Sequence, residues 1–404
     1  MPVTAEARQE FREWVVGRGT GTKIYDGEDG LIRVPFLSPL MTWATTGGMP
    51  IGHIGRWYGP EGSGKSLSNW GLSYCAQNYP RIMTDLYELE IHFWEARKQR
   101  LKAVVARRKL KNILKRFPDG MSVLLFDTEQ RAEPEFAARL GVNMHPDHCL
   151  ILEENIIEEI IEEMIGAVDA YHVMIIDSAS NAQSYAEANL EPGEYERGTA
   201  AAAWKRLRKV RKQMDRQTNT IIIVDQVRSQ GLGGNKYSGP EVAPPNVRFL
   251  RHNASLAVNF SAGKRLYLNN EGQLVDDRKK ASHDFMALGS DGPEIAGIEM
   301  RGKIDKNSTG KPFRNSIGRF KFDVADSRSG ELVQEMGFDQ GFEMLVVAEH
   351  FHIIEGGGGG MFYMLDEKFK RTNKKWKGEW RVIEDIMDDG ELSQRILSRL
   401  RMAT

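Results

Sequence analysis

The chain has 404 residues, 41% of them hydrophobic and 27% charged, enough for about two to three domains with sizeable cores. Lys and Arg total 55 against 56 Asp and Glu, a formal net charge of −1, so any attraction to a polyanion must come from local patches. Cys75 and Cys149 are the whole cysteine complement, which excludes a disulfide scaffold and points to a reducing, cytoplasmic setting; no apolar run approaches the ~18 residues of a membrane span.

In chain order, residues 4–16 read as a helix, with Ala5, Phe11, Trp14 and Val15 set against Glu6, Arg8, Glu10 and Glu13. Gly17, Gly19 and Gly21 end it. One helix cannot bury its own apolar stripe, so segment 1–45 is expected to dock on the main body or on a neighbouring subunit. From Ile54 onward, apolar runs at 54–58, 123–126, 173–176, 220–224 and 256–260 alternate with helical stretches, one carrying Ile156, Ile157, Ile160, Ile161 and Met164. That alternation predicts an α/β core whose sheet is buried on both faces. A charged helical insertion at 80–118 and a polar, turn-rich stretch at 264–297 interrupt it. Gly356 to Gly360 predicts no regular element; a basic, aromatic stretch and a last helix near 382–400 follow.

Gly59-Pro60-Glu61-Gly62-Ser63-Gly64-Lys65-Ser66 fits G-x-x-x-x-G-K-S/T and follows the first apolar strand. Such a loop turns its backbone N–H groups inward onto phosphate oxygens, with Lys65 for the β/γ-phosphates and Ser66 for Mg2+. The expected ATP contacts run from Gly59 through Leu67. Asp177 ends the run Val173-Met174-Ile175-Ile176, where a carboxylate would hold Mg2+ through water. Glu129, just past the 123–126 strand, could orient the attacking water, and on spacing alone Asp127 competes for that role. Gln226, at a third strand end, could sense the γ-phosphate.

Together these segments resemble bacterial RecA-type recombinases from about Gly47 to the C-terminus. The match includes Gly47-Gly48-Met49-Pro50-Ile51-Gly52-His53-Ile54 before the P-loop, Phe126-Asp127-Thr128-Glu129 with Glu133-Pro134-Glu135-Phe136, Ile176-Asp177-Ser178, Asp225-Gln226-Val227-Arg228, and Lys306-Asn307 with Pro312-Phe313. The resemblance implies a RecA-like P-loop ATPase core, a mostly parallel twisted sheet flanked by helices, over 46–335, followed by a small C-terminal α/β DNA-binding domain over 336–404. It also makes Glu129 rather than Asp127 the water-activating residue, puts Glu133 and Phe136 beside the adenine, and gives Gln226 the coupling of the γ-phosphate to DNA. Lys306 would reach a neighbouring protomer's nucleotide. The family's usual second lysine is Ser308 here, and His252 stands where bacterial members usually carry an aromatic, more like the archaeal and eukaryotic RadA branch. The insertion at 80–118 is outside the common pattern, and such departures suit a phage-encoded member.

By the same match, DNA-facing loops fall at 183–199 and 229–249. The second begins just past Arg228 and contains Gly231, Gly233, Gly234, Asn235 and Lys236, glycines and donors suited to a phosphate backbone. A helix over 204–216 carries Lys205, Arg206, Arg208 and Lys209 where the family has its DNA-proximal helix. Residues 97–116 hold ten basic residues and no acid, with Leu101, Val104, Val105, Leu110, Ile113 and Leu114 as an apolar stripe: an auxiliary DNA surface or a protein-docking helix. Lys368, Lys370, Arg371, Lys374, Lys375 and Lys377 interleave with Phe369, Trp376 and Trp380, which suits single strands or duplex capture. The expectation is a DNA-dependent ATPase that forms a helical filament on single-stranded DNA and exchanges strands with double-stranded DNA. A ring-forming helicase of the same fold and an ATP-gated DNA-binding mediator are the alternatives.

Overall fold

The computed structural model describes residues 31–191, 198–227, 248–282, 284–285, 292–327, 329–366 and 368–403. The expected helix at 4–16, Arg228, and Gly231, Gly233, Gly234, Asn235 and Lys236 lie outside the described residues, as does part of the 183–199 loop.

Alternate residues of each apolar run enter two different cores. Val123, Leu125, Val173, Ile175, Ile222 and Val224 face one cluster, and Leu124, Phe126, Met174, Ile176, Ile221 and Ile223 face the other. Strands whose side chains are buried on both faces must be covered by helices on both sides, which is the condition for a parallel sheet. The sheet runs Gly337–Phe338, Asn315–Lys321, Gly297–Asn307, Leu256–Leu268, Ile54–Gly59, Thr220–Gln226, Val173–Asp177, Val123–Asp127, Cys149–Leu152. From Leu256–Leu268 to Cys149–Leu152 the neighbours are parallel; the strands beyond Leu256–Leu268 are antiparallel. The P-loop strand is thus central, and the strands ending at Asp127, Asp177 and Gln226 open onto one edge beside it.

Several expected elements differ. The strands extend past their apolar runs, most of all Leu256–Leu268, because antiparallel pairing to Gly297–Asn307 continues through Ser261 and, past a bulge, Arg265. The basic helix at 204–216 is two helices, Thr199–Trp204 and Leu207–Gln213, with Lys205 and Arg206 in the turn between them. The last helix is also two, Glu379–Asp388 and Gly390–Ala403, separated at Asp389. Gly356 ends a strand and Gly358–Gly360 form a 3-10 turn, closed where the Gly378 N–H donates to the Gly360 carbonyl at 2.8 Å.

The insertion is a helical hairpin, Tyr79–Ala96 and Arg100–Arg116. Its buried seam is Met83, Tyr87 and Ile91 against Ala103, Ala106 and Ile113, the small alanines allowing close approach. Of the apolar stripe read from the sequence, Ile113 is buried in that seam while Leu101, Val104 and Val105 are exposed, because the burial arc of the helix follows the alanines. Ser38 to Ala44 joins the main body to the C-terminal unit. The Ser38 hydroxyl and the Leu40 N–H both donate to Glu343 Oε2, on the helix Gln340–His350. That unit has its own core, including Leu345, Trp376, Val382, Ile386 and Ile396. No helix among the described residues is long and apolar enough to cross a membrane, and both cysteines are buried and free.

Candidate active site

The P-loop turns on Gly64, at φ +93°, where a Cβ would lie 2.3 Å from Met300 Sδ; this position accepts only glycine. The helix Lys65–Gln77 starts directly after it, so its unbonded N–H groups and positive dipole end face the loop. Lys65 is folded back onto its own loop, Nζ donating to the carbonyls of Gly59 at 3.0 Å and Pro60 at 2.6 Å. Burial lowers its pKa, opposed by Asp177 and Glu129. Among the described residues the buried Ser63 hydroxyl has no hydrogen-bond partner. A cationic, donor-rich loop with an orphaned hydroxyl fits a phosphate chain.

Ser66 Oγ donates to Asp177 Oδ2 at 2.8 Å, and Asn69 Nδ2 donates to the same oxygen at 3.1 Å. Burial pushes the Asp177 carboxyl up to about 6, with the Ser66 bond opposing the rise and Glu129 adding to it. A hydroxyl and a carboxylate so close are a hard-oxygen pair suited to Mg2+, held directly and through water. The Asp177–Ser178 peptide is cis.

Glu129 and Asp127, equivalent on spacing, are used differently. Asp127 accepts from the N–H groups of Ala132 at 2.6 Å and Glu129 at 3.3 Å, so its carboxylate shapes its own loop. Glu129 Oε1 accepts from Gln226 Nε2 and Ser178 Oγ, each at 2.7 Å, and Oε2 lies 3.3 Å from Arg131 Nη1. Gln226 is held in turn by its N–H donating to Ser180 Oγ at 3.0 Å. These groups line a cleft of about 320 Å³ with Glu61, Gly62, Ser63, Gly64, Lys65, Ser66 and Leu67, within the size range of small-molecule pockets.

The other expected contacts stand apart from that cleft. Glu133 is exposed, and Phe136 packs on Phe320 at 6.2 Å between centroids, a partly buried ring against the core. Lys306 and His252 meet each other, Lys306 Nζ donating to the His252 carbonyl at 3.2 Å, on the other side of the P-loop strand from Asp177 and Glu129. Lys205, Arg206, Arg208 and Lys209 are exposed or at the margin of the second core.

Sequence reasoning missed Ser178, Ser180, Asn69 and Arg131, all polar residues one to three positions from a motif residue. It also missed a buried ion pair behind Gln226. Arg56 Nε donates to Asp225 Oδ2 at 3.1 Å with Arg56 Nη2 on the same oxygen; the two side chains are 3% and 0% exposed. The signal was present as a charge in each of two otherwise apolar strands.

A family model described as the RecA N-terminal domain matches residues 102–320. The chain belongs to the RecA family. It is 26% identical to protein RecA of Pseudomonas putida over 298 residues, 73% of this chain and 64% of that one. Against protein RecA of Ectopseudomonas oleovorans it is 23% identical over 363 residues, 89% of this chain and 81% of that one. The chain therefore spans just under two thirds of the first relative's length. Its mixed sheet with helices on both faces is a RecA-like core.

Proposed function

We propose that this chain is an ATP-dependent recombinase that assembles as a filament on single-stranded DNA and pairs it with homologous duplex. The observation that carries the reading is the contact between Gln226 and Glu129. It joins a γ-phosphate-sensing position to the water-activating position, and Gln226 is three residues upstream of the segment matched to the DNA-facing loop. ATP would lie on the Gly59–Leu67 loop, its phosphates taken by backbone N–H groups and Lys65. Mg2+, held by Ser66 and Asp177, would supply charge neutralisation at the β- and γ-phosphates.

Glu129 would orient a water and accept its proton while Arg131 and Ser178 fix the carboxylate. Binding of ATP would break the Gln226 to Glu129 bond, since the amide has a new partner in the γ-phosphate. The displacement passes along the backbone to Arg228 and the loop beyond. Lys306 and His252, across the P-loop strand from their own cleft, suit a neighbouring copy's nucleotide; duplex DNA would meet the basic, aromatic C-terminal unit, and Lys205, Arg206, Arg208 and Lys209 would contact phosphates. Negative-stain imaging on single-stranded DNA with a non-hydrolysable ATP analogue tests this directly. Continuous helical filaments are expected; closed rings would move the assignment to a ring-forming motor, and nucleotide-dependent binding without assembly to a mediator.

A further inference from the structure

We propose that the outward face of the Arg100–Arg116 helix is a second, nucleotide-independent binding site for duplex DNA, with the exposed apolar tip of the hairpin seated in a groove. The helix has 17 residues, a straight rod of about 25 Å. Ten basic residues and no acid occupy 97–116. Packing of Ala103, Ala106 and Ile113 on the Tyr79–Ala96 helix fixes which side points out. On that side Arg100, Arg108, Lys111 and Lys115 are exposed, and among the described residues none of them has an ion-pair partner. A row of unpaired like charges is unfavourable in the free chain and is relieved by a polyanion.

Two further observations choose duplex DNA. The row is rigid: Arg401, from the C-terminal helix, pairs with Glu90 at 3.1 Å and lies over the Tyr87 ring at 4.4 Å, and Tyr79 stacks edge-on against Phe117 at 5.6 Å. A rigid linear array matches the regular phosphates of a duplex better than a flexible single strand. Leu101, Val104 and Val105, 84%, 58% and 53% exposed, share one turn at the hairpin tip between Arg97 and Arg108. Apolar side chains flanked by cations are the arrangement that enters a groove and packs on sugars and base edges. The hairpin leaves the far end of the 13-residue P-loop helix, about 20 Å from Lys65, so this site does not need ATP.

The test uses the full chain without nucleotide and a fluorescein-labelled duplex of about 30 base pairs, longer than the helix. The variant Arg100→Gln/Arg108→Gln/Lys111→Gln/Lys115→Gln keeps helix propensity and touches no packed side chain. Its log Kobs against log[salt] slope is expected to be shallower by about 3 to 4, with affinity at low salt reduced roughly 100-fold or more. ATP-analogue-dependent binding of single strands should persist in the same variant, which separates this site from the recombinase reading. Leu101→Gln/Val105→Gln should weaken duplex binding several-fold with the slope unchanged. An unchanged slope in the quadruple variant overturns the proposal. So does displacement of the duplex by polyglutamate of equal charge, which would mark a protein-facing surface, or full duplex affinity in the Leu101 variant.

Discussion

Replacing Arg56 by Met strands the Asp225 carboxylate in the sheet interior. Both side chains are essentially without solvent, Asp225 Oδ1 lacks a partner among the described residues, and Arg56 supplies both side-chain contacts to Oδ2. Removing one member of a buried pair costs about 3–5 kcal/mol, whereas removing both with apolar or neutral isosteres is often neutral. For a core of this size that corresponds to a fall in melting temperature on the order of 10 °C for Arg56→Met, and little change for Arg56→Met/Asp225→Asn. The loss also has a pH signature. Burial already raises the Asp225 carboxyl above the ordinary range with Arg56 opposing. Without Arg56 the folded-state pKa rises further, and the stranded group escapes by binding a proton. The folded chain then holds more protons than the unfolded one above the unfolded carboxyl pKa, so the deficit grows as pH rises through that window. Thermal melts of both variants and Asp225→Asn at pH 5 and pH 8 give the coupling directly. Equal losses in the single and double variants, or a deficit indifferent to pH, would refute the argument.

Lys65→Ala should abolish binding of a fluorescent ATP analogue and with it nucleotide-dependent DNA binding; retained binding would remove Lys65 from the phosphate site. Glu129→Gln should lower ATP turnover by about 100-fold or more, as expected for a general base, while keeping ATP affinity and lengthening residence on DNA. Loss of ATP affinity instead would make Glu129 structural. Burial pushes the Glu343 carboxyl up to about 8 from 4.5, so its contribution to stability is fully present below pH 4.5 and is lost as pH rises through about 8. The difference is on the order of 5 kcal/mol at alkaline pH, and Glu343→Gln should flatten the pH dependence of the melting temperature. A variant that melts with the same pH profile as the parent would show that Glu343 is not the titrating group.

What was legible in the sequence follows a physical division. Because strand side chains alternate between faces, unbroken apolar runs must bury two faces, so the central parallel strands could be read from the runs at 123–126, 173–176 and 220–224 alone. The strand ends were less so, because Ser261 to Arg265 are held by pairing to Gly297–Asn307, and a local pattern carries no account of a partner strand some 40 residues away. The insertion shows the same limit at helical period. Leu101, Val104 and Val105 satisfy an i, i+3, i+4 stripe, whereas the buried Ala103, Ala106 and Ile113 sit at i, i+3, i+10 on another face, and hydrophobicity alone favours the set that ends up exposed. What decides is that the opposing helix presents Tyr87 and Ile91, large side chains that need alanine across from them. At the cleft, spacing gave Lys65, Ser66 and Asp177 but left Asp127 and Glu129 tied. The tie breaks on hydrogen bonding: a carboxylate at the head of a loop is consumed by N–H groups of that loop two and five residues on, as Asp127 accepts from Glu129 and Ala132. The next carboxylate along is then the one free to meet a side chain from another strand. That rule is local, and it places Glu129 opposite Gln226 without reference to any relative.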